Sequence, residues 1–211
     1  MTVIGVLALQ GAFIEHIKKL EQIGVDAREI RLPEQIAELD GLIIPGGEST
    51  TIGKLIDRFE LRAPIIELAH SGRPLWGTCA GMILLAHAVD EDTRARSQPL
   101  LDLMDLTVRR NAFGSQLDSF ETDLEIPAVA ETPIHAVFIR APVISAVGPD
   151  VEVLSRLENG QIVAARQRNL IVTSFHPELT SDDRPHRWFA RLAEETKRDL
   201  VATTGAANVA D

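Results

Sequence analysis

Residues 74–88 read Pro-Leu-Trp-Gly-Thr-Cys-Ala-Gly-Met-Ile-Leu-Leu-Ala-His-Ala, and this segment sets the architecture of the chain. Its first part, Pro74–Gly77, is apolar and predicts a buried strand, whereas Ala80–Ala88 predicts the helix that follows. Cys79 stands between the two, with a glycine two residues away on each side. A nucleophile on a sharp strand-to-helix turn needs neighbours without bulk, because the turn brings backbone segments close together. The segment therefore predicts an α/β unit that carries a nucleophile elbow, with cysteine in place of serine.

The sequence before this segment alternates strands and helices in the same way. Three apolar runs predict strands, at Val3–Leu9, Val25–Leu32 and Gly41–Pro45. Three helices are predicted. One lies over Ile14–Ile23, where apolar residues form a stripe, one follows a capping Ser49 or Thr50, and one extends from Pro64 to Ser71. This order predicts a mainly parallel sheet with right-handed crossovers.

The second half of the chain is richer in strands. They are predicted at Leu106–Arg109, Leu124–Ile126, Ala136–Ile139, Val151–Leu157, Gln161–Arg166 and Leu170–Phe175, with a hairpin turn at Asn159-Gly160. A last helix is predicted over Arg184–Leu200, and the charged segment Asp90–Pro99 is predicted to be an exposed loop. We therefore predict one α/β domain over residues 1–200 and a frayed tail over residues 201–211. The domain is expected to be a flavodoxin-like three-layer sandwich, whose mainly parallel central sheet gains an antiparallel portion in the second half.

The composition disfavours several classes of function. The formal net charge of -10, from 21 Lys and Arg against 31 Asp and Glu, disfavours a nucleic-acid surface, because phosphate binding needs concentrated basic side chains. The apolar run Val3–Leu9 is too short to span a membrane, so no membrane partner is expected. Cys79 is the only cysteine, so the chain has no internal disulfide, and a reducing, cytoplasmic location is expected.

A second candidate site element, His176-Pro177-Glu178, directly follows the predicted strand Leu170–Phe175. In an extended segment residues 176 and 178 point to the same side, so the carboxylate of Glu178 can fix the tautomer of His176. The other ring nitrogen would then face Cys79, since sites in open α/β sheets lie beyond the carboxyl ends of the strands. A surface turn with a solvated histidine and glutamate is the alternative, and the elbow at Cys79 favours the triad.

The remaining histidines have no comparable setting. They are predicted to be surface or capping residues: His16, His70, His87, His135 and His186. No pair among them has the spacing of a zinc site, so no metal ion is expected.

The segment Pro45-Gly46-Gly47-Glu48-Ser49-Thr50 closes the third predicted strand. It is a tight turn with a helix cap, and its side-chain-free backbone would also let a substrate carbonyl approach closely. The N–H of Gly47 could pair with that of Ala80 as an oxyanion hole. A phosphate loop is excluded, because Gly53-Lys54-Leu55 lacks the hydroxyl residue that such a loop needs.

Six motifs occur together in a characteristic order: Leu9-Gln10-Gly11, Pro45–Thr51, Gly77–Gly81, Arg110-Asn111-x-Phe113-Gly114, Phe138–Pro142 and Ser174–Leu179. With them the chain resembles the glutaminase subunits of pyridoxal 5′-phosphate synthase, a family of triad-type class I glutamine amidotransferases. The triad motifs alone would specify only the amidotransferase superfamily. The resemblance is narrowed to these subunits by two further segments, Pro-Gly-Gly-Glu-Ser-Thr-Thr and Phe-Ile-Arg-Ala-Pro. The resemblance extends from about Val3 to about Leu192 and makes residues 1–200 a single glutamine amidotransferase domain.

The resemblance implies hydrolysis of L-glutamine to L-glutamate and ammonia by Cys79, His176 and Glu178. It implies no cofactor for this chain, and a hetero-oligomer in which a synthase subunit uses the ammonia to make pyridoxal 5′-phosphate, in vitamin B6 biosynthesis. It also implies that the isolated subunit has little activity before the synthase docks. The glutamine contacts that it implies are Gly47, Glu48, Ser49, Arg110, Ile139 and Arg140. In such a site Glu48 would hold the α-ammonium and one arginine the α-carboxylate, whereas surface salt bridges are the alternative for each arginine.

Two other functions are compatible with the residues themselves. A cysteine hydrolase or peptidase on the same scaffold would use the elbow without a glutamine pocket. A regulatory subunit that lacks turnover would keep the fold alone, although the presence of Cys79, His176 and Glu178 argues against it.

Overall fold

The computed structural model describes residues 1–91, 97–110 and 119–207, with side chains through residue 203. Three predicted features fall partly outside these ranges. Residues 92–96 of the predicted loop, Asn111–Gly114 of the fourth motif and residues 208–211 of the predicted tail lie outside the described residues.

Strands and helices alternate in the first half, as predicted. The strands are β1 (Val3–Leu7), β2 (Asp26–Ile30), β3 (Gly41–Ile44), β4 (Leu75–Thr78), β5 (Ala86–Val89), β6 (Met104–Arg109), β7 (Ser119–Leu124), β8 (Ile134–Ile139), β9 (Val143–Val147), β10 (Glu152–Arg156), β11 (Ile162–Gln167) and β12 (Leu170–Thr173). The α-helices of the described residues are α1 (Phe13–Gln22), α2 (Ser49–Arg58), α3 (Arg62–His70), α4 (Ala80–Leu85) and α5 (Arg184–Ala207). Short 3-10 turns occupy Pro33–Gln35 and Pro177–Leu179.

The main sheet has the neighbour order β2-β1-β3-β4-β12-β11-β9-β6-β5, and β10 pairs with β11. Strands β2, β1, β3, β4 and β12 are mutually parallel. The pairs β12–β11, β11–β9 and β9–β6 are antiparallel, and β7 and β8 form a separate hairpin. This topology confirms the predicted α/β class, with a mainly parallel central sheet and an antiparallel portion from the second half.

Both faces of the parallel strands are covered by helices. Within β4, Leu75 packs into one cluster with Ile56 of α2 and Leu85 of α4. The next residue, Trp76, points to the other face and packs into a second cluster with Phe189 of α5, since successive side chains of a strand alternate. The chain thus forms three layers, and the near-continuous apolar strands are explained by burial on two sides.

The pairing of β12 with β4 positions the candidate site. The two strands are far apart in sequence, yet they are parallel neighbours, with Thr173 opposite Thr78. Parallel neighbours end at the same edge of a sheet, so the residues that follow each strand meet there. Cys79 follows β4 and His176 follows β12, which brings the two motifs together.

The segment after Cys79 differs from the prediction at its end. Helix α4 stops at Leu85 rather than at Ala88, because Ala86 adopts an extended conformation. Residues Ala86–Val89 form β5 instead, which pairs in parallel with β6. Pairing with β6 at the edge of the sheet outweighs the intrinsic helix preference of this short alanine-containing segment.

Two boundaries and one additional strand in the second half also differ from the prediction. The strand predicted at Leu124–Ile126 is β7, Ser119–Leu124, where Phe120 stacks on Phe138 of the partner strand and alternate polar residues face outward. Strand β9 was not predicted, although it carries the pairing of β6 to β11. Helix α5 continues to Ala207, beyond the predicted end at Leu200. No helix within the described ranges combines the length and apolarity needed to cross a membrane.

Candidate active site

Cys79 occupies a strained turn between β4 and α4. Its backbone has φ +48° and ψ −102°, a conformation that L residues avoid unless the surrounding structure holds it. Its N–H donates to the Thr173 carbonyl of β12 at 2.8 Å, which ties the turn to the neighbouring strand. This is the backbone geometry expected of a nucleophile elbow.

The glycines beside Cys79 are required by close backbone packing. A Cβ on Gly77 would lie 2.6 Å from the carbonyl carbon and oxygen of Gly81. A Cβ on Gly81 would lie 2.0 Å from the carbonyl oxygen of Ile44 in β3. Both contacts are with backbone that cannot move aside, so the turn excludes side chains as the sequence pattern indicates.

His176 and Glu178 form a buried pair beside Cys79. The Nδ1 atom of His176 lies 2.7 Å from Oε1 of Glu178, and the backbone N–H of His176 donates to the Val137 carbonyl of β8 at 2.8 Å. Glu178 accepts at Oε1, so His176 carries a proton on Nδ1, and Nε2 is left for a different partner. Cys79 lies beside this ring, since both residues line one cavity and a Cβ on Gly46 would contact both. The structure thus brings together the three side chains predicted to form a triad.

The electrostatics of this group favour an imidazolium. Burial alone would lower the pKa of His176, but the hydrogen bonds and charges of Cys79 and Glu178 raise it to about 10. A raised pKa means that the ring is protonated at neutral pH and can pair with a thiolate. Burial would also raise the pKa of Glu178, but its interactions with His16 and His176 hold it below the usual value, so the carboxyl is charged.

Gly46, in the turn after β3, lies directly against the triad. A Cβ at this position would be 2.3 Å from Cε1 of His176 and 3.3 Å from Cβ of Cys79. Its carbonyl accepts a hydrogen bond from the N–H of Ala12 at 3.1 Å, and the Glu48 N–H donates to the Gln10 side chain at 2.8 Å. The turn is therefore held by the loop between β1 and α1.

We expect Gly46→Ala to lower kcat by about 10²-fold, because a displacement of the ring by about 1 Å costs that much in an oriented site. Steady-state hydrolysis of glutamine, the substrate that the sequence resemblance implies, measures it. Gly160→Ala is the matched control: Gly160 has φ +83° and open space in the turn before β11, so its variant loses stability without touching the triad. A Gly46→Ala protein with unchanged kcat would contradict this placement.

A cavity of about 530 Å³ opens beside the triad. Its wall contains Cys79 and His176 together with every residue predicted to contact substrate: Gly47, Glu48, Ser49, Ala80, Arg110, Ile139 and Arg140. Sequence reasoning missed three further wall residues, Gln10, Ile83 and Pro142, as contacts. Gln10 carried a signal, because it follows the carboxyl end of β1 at the same sheet edge as Cys79.

Opposite charges lie side by side in the cavity wall. Oε1 of Glu48 is 3.2 Å from Nη2 of Arg110, and the exposed Arg140 lines the same cavity from a backbone with φ +44°. Burial would raise the pKa of Glu48, but hydrogen bonds from Thr51, Thr50 and Arg110 lower it to about 2. These charges suit a ligand that carries both an ammonium and a carboxylate.

Glu48, rather than the predicted Ser49 or Thr50, caps helix α2. Its carboxylate accepts from the N–H of Thr50 at 3.2 Å and from the N–H of Thr51 at 2.6 Å. The cap lies one residue earlier than predicted because the longer glutamate side chain reaches back over the first turn.

The prediction that all other histidines are surface or capping residues is wrong for two of them. His16 and His186 are completely buried, and Nε2 of His16 lies 3.3 Å from Oε2 of Glu178. Each lies on the apolar side of its helix, where the pattern of neighbouring residues favours the core. The other three histidines, His70, His87 and His135, are exposed as predicted.

Comparison with known proteins places the chain among glutamine amidotransferases. The sequence profile of the SNO glutamine amidotransferase family matches residues 6–195. The pyridoxal 5′-phosphate synthase subunit PdxT of Herpetosiphon aurantiacus is 60% identical over 189 residues, 90% of this chain and 99% of the relative. That of Desulforamulus reducens is 56% identical over 190 residues, 90% of this chain and 98% of the relative. A crystal structure of a glutamine amidotransferase has a TM-score of 0.84 at 46% identity, covering 90% of this chain and 98% of its own.

Proposed function

The chain belongs to the SNO glutamine amidotransferase family, and we propose that it hydrolyses L-glutamine through Cys79, His176 and Glu178. We propose further that the ammonia passes to a synthase subunit that makes pyridoxal 5′-phosphate, because relatives at 60% and 56% identity are PdxT subunits of that synthase. One observation carries the proposal. The Cys79 thiol and the His176 imidazole, which is paired with Glu178, line a cavity whose wall also contains an acidic and a basic side chain, Glu48 and Arg110.

The triad supports hydrolysis in two steps. The Cys79 thiolate forms a C–S bond to the side-chain amide carbon of glutamine, and the His176 imidazolium protonates the amide nitrogen as the C–N bond breaks and ammonia leaves. Water then attacks the glutamyl thioester, His176 accepts its proton, and the C–S bond breaks to release glutamate and restore the thiolate. The raised pKa of His176 suits the first step, because the ring must enter it protonated.

Charge complementarity supports glutamine as the substrate. In the proposed complex Glu48 binds the α-ammonium, and Arg110 or Arg140 binds the α-carboxylate. Ser49 and Ile139 complete the wall that receives the substrate backbone. A general cysteine hydrolase or peptidase would need neither Glu48 nor an arginine in the cavity wall. This wall therefore favours glutamine hydrolysis over the alternative activity on the same scaffold.

We expect Glu48→Gln to raise the KM for glutamine at least about tenfold with little change in kcat, because a hydrogen bond to a charged group is lost equally in ground and transition states. The amide keeps the length of the side chain and an oxygen that caps α2, so folding is preserved. Glu38→Gln is the control, because Glu38 is exposed and pairs with Arg28 instead of the cavity residues. An unchanged KM in Glu48→Gln would remove Glu48 from the glutamine site.

The oxyanion hole is proposed to form from the N–H groups of Gly47 and Ala80. The Gly46 carbonyl accepts from Ala12, and the trans peptide directs the N–H of Gly47 the opposite way. A flip of this peptide exchanges the two directions, and losing one oxyanion donor costs on the order of 10²–10³ in rate. We therefore propose that the peptide between the two glycines is the gate through which a docked synthase activates the subunit.

The function is tested by mixing the chain with a pyridoxal 5′-phosphate synthase subunit, glutamine and the two sugar phosphates. We expect glutamine-dependent cofactor formation, and glutamine turnover that increases when the synthase is added. Equal turnover of glutamine with and without the synthase would contradict the proposed gate. Ester or peptide turnover with glutamine ignored would favour the general hydrolase, and an inert complex would favour the regulatory subunit. A cytoplasmic location is part of the proposal, since a catalytic thiolate is preserved by a reducing compartment.

A further inference from the structure

The triad is bordered by two buried imidazoles that the proposed mechanism does not use. His16 belongs to α1 and His186 to α5, and both are 0% exposed. Their rings lie beside Trp76 of β4, with centroids 6.0 Å and 5.3 Å from the Trp76 ring. Burying two imidazoles at one point is costly unless their nitrogen atoms have partners.

The contacts of His16 lead to the carboxylate of the triad. Its Nε2 atom is 3.3 Å from Oε2 of Glu178 and 3.3 Å from Oγ1 of Thr78. Its Nδ1 atom is 3.0 Å from Nε2 of His186. The other carboxylate oxygen, Oε1, is already bound to the His176 ring at 2.7 Å. The carboxylate of Glu178 therefore lies between two imidazoles, one on each oxygen.

Two buried side-chain atoms in the described part of the chain have no hydrogen-bond partner, namely Oε2 of Glu178 and Nδ1 of His186. They are the two ends of the same row of groups. His16 Nε2 is the donor nearest to Oε2 in that row, at a distance that is long for an N–H to carboxylate bond. Hydrogen bonds around catalytic groups are often long before the substrate complex forms and shorten within it.

One assignment of protons gives Oε2 of Glu178 a donor. A carboxylate oxygen can only accept, so the His16 nitrogen that faces it carries the proton. Burial lowers the pKa of His16 and the charge of Glu178 offsets this only in part, so the ring is neutral. Its single proton is then on Nε2, where the Thr78 hydroxyl oxygen, also at 3.3 Å, accepts from the same N–H. Its Nδ1 is then an acceptor, which requires an N–H on Nε2 of His186. Burial lowers the pKa of His186 as well, so its Nδ1 is bare, and the unpaired atom at the end of the row is an acceptor.

We propose that His16 is a positioning residue of the triad: its Nε2–H holds Oε2 of Glu178 and so keeps Oε1 aligned with the ring of His176. His186 fixes the tautomer of His16 that can do this. The inference rests on the proposed glutaminase function and extends the triad inward by two imidazoles. A carboxylate held at both oxygens cannot rotate away when the His176 ring gains or loses its proton, which preserves the geometry through both steps.

The test compares His16→Leu, His16→Gln and the wild-type chain in the presence of the synthase subunit. We expect His16→Leu to lower kcat about 10- to 100-fold and to leave the KM for glutamine unchanged, because a charge-assisted bond is lost away from the substrate. His16→Gln should recover most of the kcat, since its amide nitrogen occupies the position of Nε2. If His16→Leu does not fold, His16→Asn replaces it, because its shorter amide cannot reach Glu178.

A double-mutant cycle separates positioning from general packing. If His16 acts through Glu178, His16→Leu causes no further loss of kcat in a Glu178→Gln chain, even where it lowers the melting temperature. Any of three results would overturn the inference. The losses of kcat could multiply in the double variant, or His16→Gln could be as slow as the folded His16→Leu or His16→Asn chain. The folded His16→Leu or His16→Asn chain could also retain the wild-type kcat. A wild-type complex that releases no ammonia would overturn the proposed function itself, so the two failures are distinguishable.

Discussion

Cys79→Ala is expected to abolish ammonia release from glutamine, lowering kcat by at least about 10⁴-fold. Without the sulfur no thioester forms, and water would have to attack an amide that the triad cannot activate. The substitution itself is mild, since Cys79 is buried and alanine retains its Cβ at the elbow. Fold and synthase binding should therefore survive, as measured by circular dichroism and by co-elution with the synthase subunit.

The strained backbone makes this variant informative beyond activity. Cys79 is held at φ +48°, so alanine has the same steric cost there and should fold with nearly unchanged stability. If Cys79→Ala retained more than a trace of glutaminase activity, the thiol would not be the nucleophile. A loss of activity accompanied by loss of synthase binding would leave the chemical role unsupported.

His176→Ala is expected to lower kcat by about 10⁴-fold, and Glu178→Gln by clearly less. The imidazole moves a proton in both steps, whereas the carboxylate orients it through the 2.7 Å contact to Nδ1. Glutamine at position 178 retains an oxygen that can accept from Nδ1 but has lost the charge that helps to raise the pKa of His176. Steady-state kinetics on the two variants with synthase present measure the order.

The two variants also differ in their expected pH response. The pKa of His176 is raised in the folded chain, so the imidazolium is fully present at neutral pH and is lost as pH rises towards about 10. Removing the charge of Glu178 lowers that pKa, and the activity of Glu178→Gln should decline at a lower pH than that of the wild-type chain. A Glu178→Gln chain slower than His176→Ala would contradict the assigned roles.

The architecture was largely predictable because its signals are local. Buried parallel strands appear as apolar runs such as Gly41–Pro45, and glycines beside Cys79 mark a turn whose crowding the structure confirms. A boundary that was predicted wrongly depends on pairing between strands that are distant in sequence. Ala86–Val89 is a strand only because β6 lies beside it, and no local property of an alanine-rich segment announces that partner.

The burial of His16 beside Glu178 was not predicted, for a different reason. The predicted stripe of α1 is correct for Leu20, which is buried, but it includes Ile14, which the structure leaves 46% exposed. His16, four residues before Leu20, occupies the buried side of the helix. A histidine at helical spacing from buried leucine indicates burial, but its contact with Glu178 arises from packing α1 against the turn after β12 and is not encoded locally.

The measurement that tests the central claim most directly is labelling of the chain by the chloroketone analogue of glutamine in the presence of the synthase, followed by peptide mass spectrometry. The account predicts one adduct, on Cys79, whose formation is slowed by added glutamine and is much slower in His176→Ala. An unlabelled Cys79, or labelling at the same rate whether glutamine is present or absent, would contradict it.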